Sequence, residues 1–317
     1  MAWLTAICPQ AGAQQVSVTP YYGGRRAALS LTFDDGLMDQ YTLARTELNK
    51  RGLRATFAVI GSKVGGTMHS SQDRMMGISG TPCMTWDMLR QLVADGHEIG
   101  NHGWEHRNVT RLTDEELRHE VQHNDSVILQ QTGQAPRTYF YPGNKRDSAT
   151  TAFCEQKRVG SRTFQLSLGS KRTAAFLRNY VDTLIARGMW GVTMTHGIAT
   201  GYDHFQDPQV LWQFLDYVSS RHDALWVAPH GEVNGYVKER DNTQLTMSQT
   251  ANTLVVNAVC TLDAEIFTQP LTLRLSGLRA VSAMQGSRPI SIYVQGECQM
   301  LDFFPHGGPI MIVLERQ

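Results

Sequence analysis

The chain carries no excess of either charge: Lys plus Arg and Asp plus Glu stand at 29 each among 317 residues, with a pI near 7.2. That balance argues against a nucleic-acid binder that works through a basic surface. No uninterrupted apolar run reaches the roughly 18 to 20 residues that would span a bilayer. The five cysteines show no CxxC spacing, which argues against a zinc site built from thiolates. Internal repeats and low-complexity tracts are missing too. What remains is a composition of 41% hydrophobic and 18% charged residues, suited to a globular protein with a substantial core. The length allows one large domain with a smaller one, or two ordinary domains.

The opening residues, "MAWLTAICPQAGAQQ", are apolar and then small. Ala11-Gly12-Ala13 before Gln14 has the small-x-small form of a signal-peptidase site, and the missing basic region points to the tail of a longer signal. Export to the periplasm or beyond is therefore expected. Cys8 would leave with the signal, and Ile7 before it makes a poor lipoprotein site. Cys83, Cys154, Cys260 and Cys298 remain, an even set that permits disulfides without saying how they pair.

Residues 25–240 alternate strand-like and helix-like segments, the mark of an α/β unit. "AALSLTF" reads as a buried strand and "MDQYTLARTELNKRG" as an amphipathic helix closed by Gly52. "RATFAVIG", "HEIG", "TYFY" and "GVTMTH" are further strands. Thr85 caps one helix, and Thr113 with Glu116 forms a capping box at another that ends at Gly133. Residues 62–83 form a long loop of the kind that rims a site. From residue 241 onward, short alternating runs such as "TLVVNAVC" and "PIMIVLE" between turn residues predict a small all-β module, a sandwich of some 75 residues.

The strongest chemical signal joins Asp34-Asp35, at the end of "AALSLTFDDG", with His102 and His106 in "GHEIGNHGWEH". Two imidazoles and a carboxylate make a common divalent-metal set. Singly each piece is weak, since an Asp pair at a strand end serves equally as a cap and HxxxH arises by chance on solvated surfaces. His119 and His123 show the same spacing on a helix whose apolar positions are Leu117, Val121 and Ile128, which turns both toward water. His102 and His106 instead follow a buried strand, where α/β proteins place their ligands. His196 also ends an apolar strand, where a core histidine and a functional one are both natural readings. "YFYPGN" supplies a fourth strand end, followed by a turn.

"TFDDG", "NHGWEH", "YFYPGN" and "MTHG", in this order, resemble the polysaccharide deacetylases of carbohydrate esterase family 4, over roughly residues 25 to 240. The resemblance implies a distorted (β/α) barrel with its site at the C-terminal strand ends and a small C-terminal all-β domain behind it. The implied segments are 1–24 (residual signal and extension), 25–240 (catalytic) and 241–317 (accessory). It implies one divalent metal held by Asp35, His102 and His106; zinc suits the set, and cobalt, nickel or iron would fit. Asp34 would be the general base that activates the hydrolytic water, and His196 the general acid. The Gly143 N–H would help hold the oxyanion, with Tyr141 and Trp104 toward the substrate. The implied partner is an acetylated carbohydrate, with no nucleic acid, no transmembrane segment and no stated oligomeric state.

Three departures accompany the resemblance. Gly103 replaces the Ser or Thr that usually follows the first histidine, so one loop-bracing hydrogen bond is lost. Phe140 and Gly143 stand where the family has an arginine paired with the base and a tyrosine, leaving Arg146 or Arg137 to replace the charge. No group that tunes His196 is assigned. A deacetylase is the leading reading; a hydrolase of small amides or imides and a non-catalytic carbohydrate binder remain as alternatives. The β module either binds glycan or covers an apolar flank, the second being favoured.

Overall fold

The computed structural model describes residues 15–69 and 80–315. The expected signal segment, with Cys8 and Ala11-Gly12-Ala13, and the middle of the 62–83 loop lie outside the described residues. The chain divides into two compact units, one of Arg25–Gly235 and one joining the described residues up to Gly24 with those from Tyr236 onward.

The larger unit is built on a curled sheet of eight strands. Ala27–Phe33 lies at its centre, buried at all seven positions, as a strand covered on both faces must be. It pairs in parallel with Trp190–Thr195 on one side and, on the other, with Leu225–Val227 along its first half and Thr56–Val59 along its second. Glu98–Asn101, Thr138–Phe140 and Gly160–Arg162 continue the sheet beyond Thr56–Val59, while Leu166–Ser167 extends it beyond Trp190–Thr195. Every pairing is parallel, so all strand C-termini open at one end, where barrels of this kind place their sites.

The helices follow their sequence signals. Thr85 accepts from the Met88 N–H, Thr113 and Glu116 close a reciprocal capping box, and Gly133 ends its helix at φ +76°. The helix expected after Gly36 differs: Gln40–Arg45 winds as a π turn before Thr46–Lys50 becomes α-helical. Its consequence is taken up below. Within the expected long loop, Thr67–Met68 pairs with Thr81–Pro82 as a short antiparallel ribbon. Strands Gly160–Arg162, Leu166–Ser167 and Leu225–Val227 went unrecognised because two or three residues are too few to show a period.

In the smaller unit the strands form a four-stranded and a five-stranded antiparallel sheet. Leu271, Leu273 and Leu275 face Leu301 and Phe303 across the buried side of the first, and Leu254, Val256, Ile310 and Ile312 pack the second. The edge strand Thr243–Thr250 is exposed along most of its length, so alternation could not announce it. Gln15–Val18, from the far end of the chain, pairs antiparallel with Leu271–Ser276 in the four-stranded sheet. Cys83, Cys154, Cys260 and Cys298 are free thiols, and burial pushes the first two up to about 11 and about 12. No helix among the described residues is long and apolar enough to cross a membrane.

His97 is buried just before Glu98–Asn101, where its Nδ1 accepts the Ala55 N–H at 3.2 Å and its Nε2 meets the Asn49 Oδ1 at 3.2 Å. Both bonds are satisfied by the neutral ring. Burial first, and the Arg54 charge second, lower its pKa to about 4. The folded value thus lies below the ordinary value near 6.5, so this contribution is complete above pH ~6.5 and is lost as pH falls from there toward 4. The window corresponds to about 3 kcal/mol. Urea unfolding should show a steep loss of stability between pH 6.5 and 4 that is clearly shallower in His97→Gln; parallel curves would contradict this assignment.

Candidate functional site

Five strands deliver the candidate groups to the same end of the curled sheet. Asp34 and Asp35 follow Ala27–Phe33, His102 follows Glu98–Asn101, Gly143 lies just past Thr138–Phe140, Arg162 ends its own strand, and His196 follows Trp190–Thr195. The Asp34 N–H donates to the Thr195 carbonyl at 2.8 Å, which locks the acidic and histidine strand ends together. Asp34, Asp35, His102, His106, Gly143 and His196 all line one cavity of about 700 Å³.

Asp34 and Asp35 have different surroundings. Asp34, 2% exposed, receives two hydrogen bonds from the Arg162 guanidinium, at 2.7 Å to Oδ1 and 2.6 Å to Oδ2. Burial alone would raise its pKa, but Arg162, with His102 and His196, outweighs that and holds the carboxyl well below the usual carboxylate range. Asp35 turns away, at φ +74°, and puts Oδ1 3.4 Å from His102 Nε2 and 3.8 Å from His106 Nε2. That Oδ1 is buried without a hydrogen-bond partner among the described residues.

The triad fits a metal ion. Tetrahedral ligands at zinc distances lie about 3.4 Å apart, close to the separations seen. The His102 Nδ1 is 2.9 Å from the Phe140 carbonyl, and donation there leaves Nε2 with its lone pair toward Asp35. The charges agree. Burial would lower the His102 pKa, yet Asp35 and Asp34 together raise it; burial and the His102 charge instead push His106 down to about 4. Two carboxylates thus draw one positive charge into the space between them, the place a divalent cation would take.

Arg162 is the residue that sequence reasoning missed. Arg146 donates to the Thr163 carbonyl, and Arg137 lines a separate cavity of about 100 Å³ with Glu98 and Glu232; neither serves Asp34. Phe140 and Arg162 are register partners on adjacent strands, and the guanidinium lies over the Phe140 ring at 4.8 Å. The phenylalanine that stands where an arginine was expected is therefore the floor beneath the arginine. Room for it comes from Gly100, where a Cβ would sit 2.3 Å from the ring. The available signal was Arg162 itself, a charge closing the short run "RVGSR".

The bracing thought lost at Gly103 comes from Glu120. Its buried carboxylate accepts the backbone N–H of Glu105 at 3.0 Å and of Arg107 at 2.8 Å, holding His106 from both sides in its left-handed conformation. Gly103, at φ +81°, leaves the space Glu120 occupies: a Cβ there would lie 2.3 Å from its Oε1. Asn124 adds a bond to the Gly103 carbonyl at 2.9 Å. Asp35, His106, Asn144 and Asp203 all hold positive φ around the one cavity, which marks a backbone under local constraint.

The remaining candidates divide. Gly143 sits in the cavity lining within a left-handed turn at φ +59°. Tyr141 also borders the cavity, but its ring is buried and its hydroxyl donates to Ser161 at 3.0 Å. Trp104 is not part of the lining; it packs over Gly61 and against the exposed rings of His119 and His123. The edge of Tyr202, 64% exposed, meets the His196 ring at 4.9 Å between centroids.

Residues 23–161 match the family model described as polysaccharide deacetylase. Among curated proteins, the peptidoglycan-N-acetylglucosamine deacetylase PgdA of Listeria monocytogenes is 26% identical over 115 residues, covering 36% of this chain and 21% of that protein. Chitin deacetylase 1 of Cryptococcus neoformans var. grubii is 29% identical over 126 residues, covering 40% of this chain and 23% of that protein. The chain spans less than a quarter of the length of these two relatives. The solved Bc1960 peptidoglycan N-acetylglucosamine deacetylase shares the fold, with a TM-score of 0.50 at 18% identity over 68% of this chain and 91% of that one.

Two outcomes follow from this geometry. Removing one member of a buried ion pair costs about 3–5 kcal/mol because the other is left unpaired. Arg162→Met should destabilise the chain by that order, and the double variant with Asp34→Asn by clearly less than the sum of the singles in denaturant unfolding. Gly103→Ser should be harmful although it restores the commoner residue. It should lower the thermal midpoint and weaken metal binding, measured by titration, because it displaces Glu120 from the His106 backbone.

Proposed function

We propose, for a chain whose residues 23–161 match the polysaccharide deacetylase family model, that the protein is a metal-dependent hydrolase removing acetyl groups from a carbohydrate, N-acetyl on an amino sugar foremost. The observation that carries this reading is the convergence of Asp34, Asp35, His102, His106 and His196 on one cavity large enough for a sugar unit. Export, expected from Ala11-Gly12-Ala13, would put the protein where such polymers lie.

Asp35, His102 and His106 would hold the metal, zinc being the ion that best suits one carboxylate and two imidazoles. When bound, it polarises the acetyl carbonyl and lowers the pKa of water. Asp34, kept ionised by Arg162, is always in the proton-accepting form and stands beside the triad, its Oδ2 3.9 Å from His102 Nε2. It receives the proton of the attacking water. The two Arg162 hydrogen bonds fix Asp34 in orientation, and each oxygen keeps a further lone pair for this task. His196 delivers a proton to the leaving nitrogen as the C–N bond breaks. The backbone N–H of Gly143 would donate to the oxygen that gains charge. The adjacent aspartates thereby divide the work, since the left-handed backbone at Asp35 turns its side chain away from that of Asp34.

The test is acetate release from chitooligosaccharides, peptidoglycan fragments and acetylxylan, with and without added metal. Release from an N-acetylated substrate that stops on chelation and returns with zinc or cobalt is expected. Full activity in a metal-free preparation would end this reading, and hydrolysis of a small cyclic imide alone would favour the amide alternative. Asp34→Asn should retain metal and lose turnover by about 10²-fold or more. Asp35→Asn should lose the metal first, and equal metal loss in the two variants would overturn the division of labour.

A further inference from the structure

We infer that Asp39 and Gln40 are positioning residues that set where the His196 ring stands, an inference that rests on the hydrolase reading and extends it beyond the motif residues. Both side chains are buried, Gln40 completely. They leave the chain at the start of the π turn, with Asp39 as its N-cap residue and Gln40 as its first member. Such turns recur where a functional site needs a side chain re-aimed.

Each grips the His196 segment from a different side. The Gln40 Nε2 donates to the Asp34 carbonyl at 2.6 Å and to the His196 carbonyl at 3.0 Å, tying the backbone of the proposed base to that of the proposed acid. A single oxygen of Asp39, Oδ2, accepts three successive N–H groups, from Ile198 at 2.8 Å, Ala199 at 2.9 Å and Thr200 at 3.1 Å. Consecutive amides converging in this way make an anion-binding nest, here filled by the chain's own carboxylate. Hydrogen bonds to a charged acceptor are about twice as strong as neutral ones. The turn they hold is tight, for a Cβ at Gly197 would lie 1.9 Å from the Thr200 carbonyl oxygen.

This matters because the Nδ1 of His196 has no hydrogen bond among the described residues to orient the ring. With that atom buried, the side chain described against the imidazole is Tyr202, itself 64% exposed, which makes a ring contact and no hydrogen bond to Nδ1. Apart from that exposed contact, placement of the ring falls to the backbone on either side, which Gln40 and Asp39 hold. A shift of about 1 Å in a catalytic group can cost ~10²-fold in rate. The clamp touches none of Asp35, His102 and His106 through its side chains, so its loss should spare the metal site.

A proton donor is needed to expel an amine and hardly at all to expel p-nitrophenolate, which leaves unaided. In the metal-loaded protein, Asp39→Ala should therefore lose about 30- to 100-fold in kcat on an N-acetylated chitooligosaccharide, with a loss at least tenfold smaller on p-nitrophenyl acetate. Metal content should match wild type. Asp39→Asn keeps an oxygen acceptor at nearly the same volume but not its charge; it should lose less amide activity than the alanine variant, though measurably, and serves if that variant fails to fold. The His196 ring resonances, assigned by their disappearance in His196→Gln, should shift in both Asp39 variants while those of His97 stay in place. Equal losses on the two substrates, or unmoved His196 resonances, would refute the clamp. If the wild-type protein cleaves neither substrate, the hydrolase reading falls while the resonance shifts still decide the clamp.

Discussion

The bond between Arg162 and Asp34 is the constraint on which the larger unit turns. In sheet order, Gly160–Arg162 lies four positions from Ala27–Phe33. In a flat sheet that separation would be about 19 Å, at 4.7–4.9 Å per strand. Yet the guanidinium meets both carboxylate oxygens within 2.7 Å. The sheet must therefore curl until its far strand faces its centre, and the ion pair spans the mouth that the curl creates. Thr32 accepts from the same guanidinium at 2.7 Å, Phe140 lies beneath it, and the missing side chain of Gly100 leaves space for Phe140. Four strands are thus committed to one buried charge pair. A buried pair is weak evidence for stability, since desolvation consumes much of the attraction. Its value here is geometric: one carboxylate is held ionised, oriented and beside a second that is free to turn elsewhere.

Around that pair the site is assembled from opposed demands. Asp34 is satisfied by a fixed cation, whereas the Asp35 Oδ1 has no hydrogen-bond partner among the described residues and faces two imidazoles pulled in opposite directions. The backbone carries part of the load. Asp35 and His106 adopt conformations that side-chain-bearing residues avoid, and each is held by neighbours that bind main-chain groups. Glu120 accepts amides on both sides of His106, and the Asp39 carboxylate collects three amides after His196. Buried carboxylates thus serve as anchors for irregular backbone, a role distinct from that of the two at the centre of the cavity.

The sequence displayed the parts of this arrangement that are local. Asp34, Asp35 and His196 end apolar runs and His102 follows the short strand "HEIG", so their shared end of the sheet could be read from strand polarity alone. Helix ends at Thr85, Thr113 and Gly133 were legible because their capping chemistry lies within a few residues. Arg162 was not, since its strand is three residues long and its partner lies 128 positions away. Glu120 and Asp39 were hidden for another reason: a charged residue on a helical segment reads as a solvated face until the loop that covers it is known. Trp104 was misplaced toward the cavity because adjacency to His102 in sequence says little about direction after a left-handed glycine. The π turns at Gln40–Arg45 and His119–His123 left no trace in the apolar period, yet they carry Gln40 and Glu120 into place.

The pairing of Gln15–Val18 with Leu271–Ser276 also imposes an order in time. Roughly 250 residues separate the two strands, which at 5–20 residues per second is about 12–50 s of synthesis. Throughout that interval the first strand lacks its partner, while the whole Arg25–Gly235 segment, a compact unit of its own, emerges. The larger unit can thus be complete before Gln15–Val18 finds its partner strand. A chain cut short after residue 235 would hold every residue of the larger unit and leave Gln15–Val18 without the strand it pairs with.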